Sequence, residues 1–310
     1  MPNATREKLE KIPILNILVK LLGKIKLPGL EGLSLYHLLE LYVIGIVKGA
    51  VSTRASAIAY SFFMALFPFL LFIIIVIPYI PIDNFQVEFL DFLESFLPPT
   101  TTEFFSENIF ENIKGGGLIS SVFLVSILLM ANGVNAVFSG FENSYHEQIT
   151  RNVVRQYLYA LGIAIILALL LILTVAGLGM FQIYIIEPLY ESLKDSGLAK
   201  SGSDVFWLLL SKYLFFVFMV YIATATLYYF GTKEGRTTRF FSIGALFTTL
   251  LFMLTSYLFG IYIENFAQYN KLYGSIGALL ILMFYLWLNA NILLLGFELN
   301  VSLKKLRKRC

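Results

Sequence analysis

The chain has 310 residues, of which 58% are hydrophobic and only 14% are charged, and its mean hydropathy is +0.78. Soluble domains are about 45–50% apolar and about 25% charged, so these values exclude a water-soluble globular protein, which could not bury so much apolar surface. The formal net charge is +3, and the single cysteine, Cys310, excludes a disulfide within the chain and a cysteine-based metal site.

The chain begins with a polar, basic arm, which we predict over residues 1–54 on the cytoplasmic side. Within this arm the segment Leu33–Val51 is apolar but carries His37, Glu40 and Lys48. Three ionisable side chains inside a bilayer would be costly. We therefore predict an amphipathic helix at the cytoplasmic membrane surface before the first span, with a seventh span as the alternative.

Six later segments are long and apolar enough to cross a membrane, for which about 20 residues are needed. They predict an all-α integral membrane protein with a six-span domain over 55–303 and a basic cytoplasmic tail over 304–310. The predicted spans, in chain order, are Ile58–Ile80, Leu118–Phe138, Tyr157–Phe181, Val205–Phe230, Phe240–Ile263 and Ser275–Leu299.

The distribution of charge along the chain predicts its orientation. Lys and Arg concentrate in the arm, in the loops after spans two and four, and in the tail, whereas the loops after spans one and three are mostly acidic. Because cytoplasmic loops carry an excess of Lys and Arg, both termini are predicted to be cytoplasmic. The basic residues are then topology signals and headgroup contacts, so the predicted partners are membrane lipids and not nucleic acid. The sequence does not define an oligomeric state.

The first outer loop, over 81–117, has a pattern of its own. Apolar residues recur at helical spacing in two stretches with acidic residues on other faces, and Pro98-Pro99 separates the two stretches. This pattern predicts two short amphipathic helices on the outer face.

Polar side chains inside the spans are the candidates for function, because they are costly in a bilayer. At a rise of about 1.5 Å per residue, those of spans one, two and six lie at a similar depth in the cytoplasmic half of the membrane. One interpretation is a substrate cavity that opens to the cytoplasm. The alternative is that the Asn side chains bond across helices to hold the bundle together, with the glutamate solvated or paired with an arginine. The candidate residues are Tyr60, Asn132, Asn135, Asn289, Asn291 and Glu298.

The motifs of common enzyme classes are missing from the sequence. The chain has two histidines, too few for a multi-histidine metal cluster. It has no Walker A loop, nucleophile elbow or zinc-protease motif. We therefore predict no catalytic residues, no metal ligands and no cofactor.

Four stretches resemble the YihY/BrkB family of bacterial inner-membrane proteins. The most specific is similar to the family's N-F-x-x-Y-N-x-x-Y-G-S-x-G-A element before the last span. The resemblance extends from about residue 40 to 303 and implies a six-span protein of the bacterial inner membrane. The four stretches are Ala55–Pro68, Asn135–Tyr145, Asn265–Ala278 and Leu295–Asn300.

The resemblance implies a general class of function. Members of the family have been labelled ribonuclease BN, linked to serum resistance, or suggested to export or flip amphiphilic molecules. A ribonuclease of that name should have a metal motif rich in histidine and aspartate, which this chain lacks. The expected function is therefore a transporter, exporter or flippase of a lipid-like or amphiphilic solute. The alternative is an envelope scaffold or assembly protein that does not transport.

The family-like turn between spans five and six has two interpretations. Its tyrosines suit the membrane interface, and Gly274 permits close approach of the chain where span six begins. The turn is either a rigid structural connection between the two spans or an outer gate that contacts substrate. Its motif residues are Asn265, Phe266, Tyr269, Asn270, Tyr273 and Gly274.

Overall fold

The computed structural model describes residues 51–76, 121–142, 152–181, 202–231, 239–266 and 275–307, with a few isolated positions outside these ranges. Each range forms one long helix, and all six helices are long and apolar enough to cross a membrane. The six predicted spans are thus confirmed. The helices are α1 (Val51–Val76), α2 (Ser121–Glu142), α3 (Val153–Phe181), α4 (Gly202–Gly231), α5 (Ile243–Phe266) and α6 (Ser275–Arg307).

Several predicted features lie outside the described residues. They are the two helices of the outer loop, the turn after Phe266, the last residues of the tail, and nearly all of the surface helix predicted over 33–51. Of the turn motif, Asn265 and Phe266 are the last two residues of α5. The division into arm, membrane domain and tail stays a prediction, as does the orientation of the two ends.

Helix starts are explained by capping side chains. Asn152 precedes α3, and its side-chain oxygen accepts a hydrogen bond from the backbone N–H of Val154 at 3.3 Å. Ser242 precedes α5, and its hydroxyl accepts a bond from the backbone N–H of Ala245 at 3.2 Å. Such caps satisfy N–H groups that the first helical turn leaves without a partner, which matters most where water is absent.

The six helices form a ring in chain order. Each helix packs most extensively against the helices that precede and follow it, and α6 closes the ring against α1. Because neighbours in the chain run in opposite directions, α1 begins and α6 ends at the same end of the bundle. We call this the termini end; the charge pattern predicts that it faces the cytoplasm.

Helix α1 begins at Val51, seven residues before the predicted start of span one. Arg54, the last residue of the predicted arm, therefore belongs to the first turns of a spanning helix. A span that is predicted from hydropathy stops at the first charged residue. Here the helix continues because the arginine has partners inside the protein, described below.

Candidate functional site

A cavity of about 410 Å³ lies among the six helices, and it is partly open, since its lining residues Leu171 and Phe216 are 38% and 40% exposed. All six helices contribute to its wall, from turns near the middle of their lengths, so the cavity is central and at mid-depth in the bundle. Helices α3 and α4 supply the largest share of the lining. One representative from each helix, in order, is Ala65, Val134, Leu167, Met219, Phe252 and Leu286.

The wall of this cavity is almost entirely apolar. Its polar side chains are Thr174 and Thr224. The Thr174 hydroxyl donates to the backbone carbonyl of Leu170 at 2.6 Å. The Thr224 hydroxyl lies 3.0 Å from the carbonyl of Tyr221 and 3.2 Å from the Thr249 hydroxyl. Both hydroxyls therefore form hydrogen bonds within the protein, and the surface offered to an occupant is hydrocarbon.

A buried ion pair lies nearer the termini end. Arg54 on α1 donates from Nη2 to Oε1 of Glu298 on α6 at 2.8 Å. Its Nη1 donates to the backbone carbonyl of Gly140 on α2 at 2.6 Å. The Arg54 side chain is 9% exposed and that of Glu298 is fully buried. One guanidinium group thus joins three helices at a depth where an unpaired charge would be costly.

Tightly packed rings lie beside this ion pair, one residue from Gly140 on α2 and one residue from Glu298 on α6. Phe141 on α2 stacks on Phe297 of α6 with centroids 4.2 Å apart and an interplanar angle of 10°. Phe141 also meets Tyr228 of α4 edge-on at 5.5 Å. We call the layer made by the ion pair and its buried neighbours the termini-end seal; the neighbours are Ile58, Phe138, Phe141, Tyr228, Leu294 and Phe297.

Beside the seal, α5 and α6 approach to backbone contact at two glycines. A Cβ atom on Gly296 would overlap the hydroxyls of Thr248 and Tyr228 and would lie 2.8 Å from the carbonyl oxygen of Gly244. The Tyr228 hydroxyl donates to the carbonyl of Leu293 at 2.7 Å. Asn300 accepts a bond from the backbone N–H of Gly244 at 2.8 Å. The two helices thus form one rigid pair.

The structure separates the predicted cavity residues. Tyr60 is 57% exposed, and Asn132 is on the exposed surface of α2. Asn289 and Asn291 are half-buried and bond to their own helix, each side-chain N–H₂ donating to the carbonyl four residues earlier at 2.8 Å.

The other two candidates bond across helices. Asn135 accepts a bond at 3.1 Å from Gln156 of α3, as the interhelical alternative expects. Glu298 pairs with Arg54, which is the arginine-paired alternative. All six candidates are described, and none of them lines the central cavity; their joint role in a polar substrate cavity stays a prediction.

Sequence reasoning did not single out two residues that organise the bundle. Arg54 was treated as a topology signal, although a glutamate predicted inside the membrane requires a cationic partner. Gln156 is buried and bonds to both Asn135 and Ser139 of α2. It lies at the edge of a basic loop, so its polarity resembled that of a surface residue.

Comparison with known proteins shows which family this chain resembles. The family model described as virulence factor BrkB matches residues 45–309, which include all six helices and the seal. The chain belongs to the virulence factor BrkB family. The resemblance noted in the sequence is thus confirmed.

Curated relatives of this BrkB-family chain are distant but cover most of its length. A ribonuclease-like protein of Bacillus subtilis, YfkH, is 27% identical over 83% of this chain and 91% of its own length. A UPF0761 membrane protein of Coxiella burnetii is 25% identical over 78% of this chain and 84% of its own. A UPF0761 membrane protein of Idiomarina loihiensis is 25% identical over 67% and 70%. No solved structure matches the chain.

The described part of this BrkB-family protein shows no candidate metal site. Within it, no group of three or more His, Cys, Asp or Glu side chains lies close enough together to hold a metal ion. The family assignment and the six apolar helices define a multi-pass membrane protein. The cavity and the seal are its two distinctive internal features.

Proposed function

We propose that this chain is a transporter, exporter or flippase whose central cavity holds the apolar part of a lipid-like or amphiphilic molecule. The cavity itself carries the proposal. Its volume of about 410 Å³ lies within the range of about 300–1,000 Å³ found for small-molecule pockets. Its position inside the ring, at mid-depth, is where a molecule crossing the bilayer would pass.

The chemistry of the wall favours a hydrocarbon occupant. A polar group that enters an apolar site without a hydrogen bond loses roughly 2–7 kcal/mol. Thr174 and Thr224 already bond within the protein, so they offer little to a hydrated ion or a sugar. An acyl chain or another apolar tail meets no such penalty.

The same wall predicts weak and broad selectivity. Lipid tails are as apolar as leucine, so a tail that leaves the bilayer for the cavity gains no hydrophobic free energy. Binding must then depend on shape and on the packing of the tail against the wall. We therefore expect a class of tails to bind rather than one molecule.

We propose the bacterial inner membrane as the location, with both termini cytoplasmic. The alternating Lys and Arg bias of the loops supports this orientation. Reporter fusions placed after Lys114 and after Arg239 should report opposite sides of the membrane. The same side for both would contradict the orientation.

The proposed function is tested by filling the cavity. Ala223 lines it, so Ala223→Phe places a ring in the space of the tail. Ala57 is on the exposed surface of α1, so Ala57→Phe is the matched control. Purified protein is reconstituted into phospholipid vesicles that carry a trace of fluorescent phospholipid, and the exchange of that lipid between leaflets is followed with a membrane-impermeant quencher.

We expect faster exchange with the wild-type protein and with Ala57→Phe than in protein-free vesicles, and slow exchange with Ala223→Phe. Equal rates in all four preparations would contradict flipping of phospholipid. Extraction of the purified protein, followed by unbiased lipid and metabolite analysis, then tests other amphiphiles. A co-purifying protein together with no bound amphiphile would favour the scaffold alternative.

We also propose that the chain lacks ribonuclease activity, the activity that the name of the Bacillus relative suggests for that protein. Two histidines in the whole sequence support this proposal, because such hydrolysis commonly relies on a metal held by several histidines. Incubation of the purified protein with transfer RNA is the check. Degradation that is abolished by changing one of the protein's own carboxylates would overturn it.

A further inference from the structure

We propose that the termini-end seal is a gate, which closes the central cavity toward the termini end and opens when the Arg54–Glu298 pair separates. This inference rests on the proposed function in one respect only: a gate matters if the cavity takes an occupant. In the structure the ion pair is formed and the rings are packed, which is the closed state of the proposed gate.

The order of residues along the helices places the seal across one end of the cavity. On α6, Glu298 lies twelve residues beyond the cavity residue Leu286, or about 18 Å along the helix axis. On α1, Arg54 lies eight residues before the cavity residue Phe62, or about 12 Å. The aromatic rings lie level with the ion pair, so the seal as a whole is on the termini side of the cavity residues of α1, α2 and α6.

The seal is dense enough to exclude water. Phe138 and Phe141 are fully buried, and Phe297 and Tyr228 nearly so. The stacked pair of Phe141 and Phe297, at 4.2 Å, leaves no room for a solute. We therefore expect a reagent in water to reach the cavity only slowly from this end while the layer is intact.

The hydrogen bonding of the ion pair is incomplete, unlike that expected of a purely structural contact. Arg54 donates from both terminal nitrogens, but its Nε is buried and has no hydrogen-bond partner among the residues that the structure describes. A buried donor without a partner carries a desolvation cost that water would relieve. The closed state therefore retains a penalty that disappears when this end of the ring opens.

The surrounding contacts indicate which parts move. Helices α5 and α6 meet at Gly244 and Gly296 with backbone contact and act as one body. Arg54 belongs to α1, and its partners belong to α2 and α6. Loss of the Arg54 bonds removes the polar links of α1 to α2 and α6, and the cavity is uncovered once the stack of Phe141 on Phe297 also separates.

The test is thiol labelling of the cavity. Cys310 is replaced by serine, and Ala223→Cys places a thiol in the cavity wall. Ser52→Cys, on the exposed start of α1, marks the termini end. Right-side-out and inverted membrane vesicles are treated with a membrane-impermeant maleimide. The preparation in which residue 52 reacts is the one that presents the termini end.

In that preparation we expect residue 223 to label slowly in the otherwise unchanged protein. We expect labelling to be about tenfold faster or more with Glu298→Gln, because removal of one charge from a buried pair shifts the closed–open equilibrium strongly. The exchanged pair, Arg54→Glu with Glu298→Arg, should restore much of the protection. Labelling of residue 52 should not change among these variants.

Two results would overturn the gate. One is labelling of residue 223 in the unchanged background as fast as that of residue 52. The other is no acceleration in any folded variant, with folding judged by a single symmetric peak in gel filtration. If Glu298→Gln does not fold, Arg54→Lys replaces it, because lysine keeps the charge but cannot reproduce both arginine bonds. Since labelling needs no transported molecule, the gate can stand or fall independently of lipid exchange.

Discussion

The termini-end seal and the central cavity lie within a few helical turns of each other, yet they are built on opposite principles. The seal combines a buried ion pair, stacked rings and a bond from Arg54 to the backbone of Gly140. The cavity leaves about 410 Å³ among aliphatic and aromatic side chains. Within the part of the chain that the structure describes, the buried ion pair and its bonds across helices are therefore concentrated at one end of the bundle.

This difference matters because a membrane supplies little force to close a ring of helices. Lipid competes equally well for apolar surfaces, so association depends on packing and on interhelical hydrogen bonds. Both are abundant at the seal, and both are sparse around the cavity. Under the proposed function, such a bundle would hold its architecture at one end while its centre takes up and releases an occupant.

The largest expected effect comes from breaking the ion pair on one side only. Glu298→Gln leaves the Arg54 charge buried without its counter-charge and should lower the free energy of unfolding by about 3–5 kcal/mol. The double replacement Arg54→Met with Glu298→Leu removes both charges and should cost much less. Denaturant unfolding in detergent micelles measures both. A double variant less stable than Glu298→Gln would refute this description of the seal.

A smaller effect is expected at the contact between α5 and α6. Gly296→Ala forces a methyl group against Thr248, Tyr228 and the carbonyl of Gly244, and it should destabilise by about 1–3 kcal/mol through overpacking. The control is Gly260→Ala, where a methyl group meets nothing within 4 Å. This control should be neutral or stabilise by up to about 1 kcal/mol, since alanine favours helix. Equal thermal shifts for the two variants would contradict the close approach.

Replacement of alanine by leucine at two positions of α4 compares the packed core with the cavity directly. Ala225 is fully buried in the core, so Ala225→Leu should cost about 1–3 kcal/mol. Ala223 lines the cavity, so Ala223→Leu extends into open space and should cost less than about 1 kcal/mol. Thermal unfolding of the two variants is the measurement. A larger loss at residue 223 would show that the cavity is not available space.

The smallest effect concerns the hydrogen bonds of Gln156 between α2 and α3. Gln156→Leu removes its bonds to Asn135 and Ser139, and interhelical bonds of this kind are worth about 0.6 kcal/mol on average. Asn289→Leu removes a bond within one helix and should have a smaller effect. Unfolding curves of both variants and of the Gln156→Leu, Asn135→Leu pair separate the contributions. A large loss from Asn289→Leu would contradict the within-helix assignment.

The six helices could be predicted because a spanning helix is a local property of about 20 consecutive residues. Glu298 could also be recognised as a residue that requires solvent or an arginine partner, because a carboxylate inside an apolar segment is visible in the local sequence. Its partner could not be chosen, because several arginines lie near the same membrane surface and Arg54 is 244 positions away in the sequence.

The central cavity could not be predicted at all. Residues such as Leu167 and Phe252 line it, while Leu169 and Leu250 face outward. Both sets are apolar, so hydropathy does not distinguish the face that lines the interior from the face that contacts lipid. The polarity of the asparagines was ambiguous for a related reason. Asparagine can bond to its own helix, as Asn289 and Asn291 do, and it then needs no cavity.

The distance between Arg54 and Glu298 in the sequence also has a consequence for biosynthesis. Helix α1 leaves the ribosome first and α6 last, so the arginine enters the membrane long before its counter-charge exists. Until then the guanidinium is best placed among the lipid headgroups, which holds α1 nearer the surface than its final position. The arrival of α6 draws α1 inward and closes the ring. Chains that stop short of residue 298 should therefore present an unfinished first helix to the quality-control proteases of the membrane.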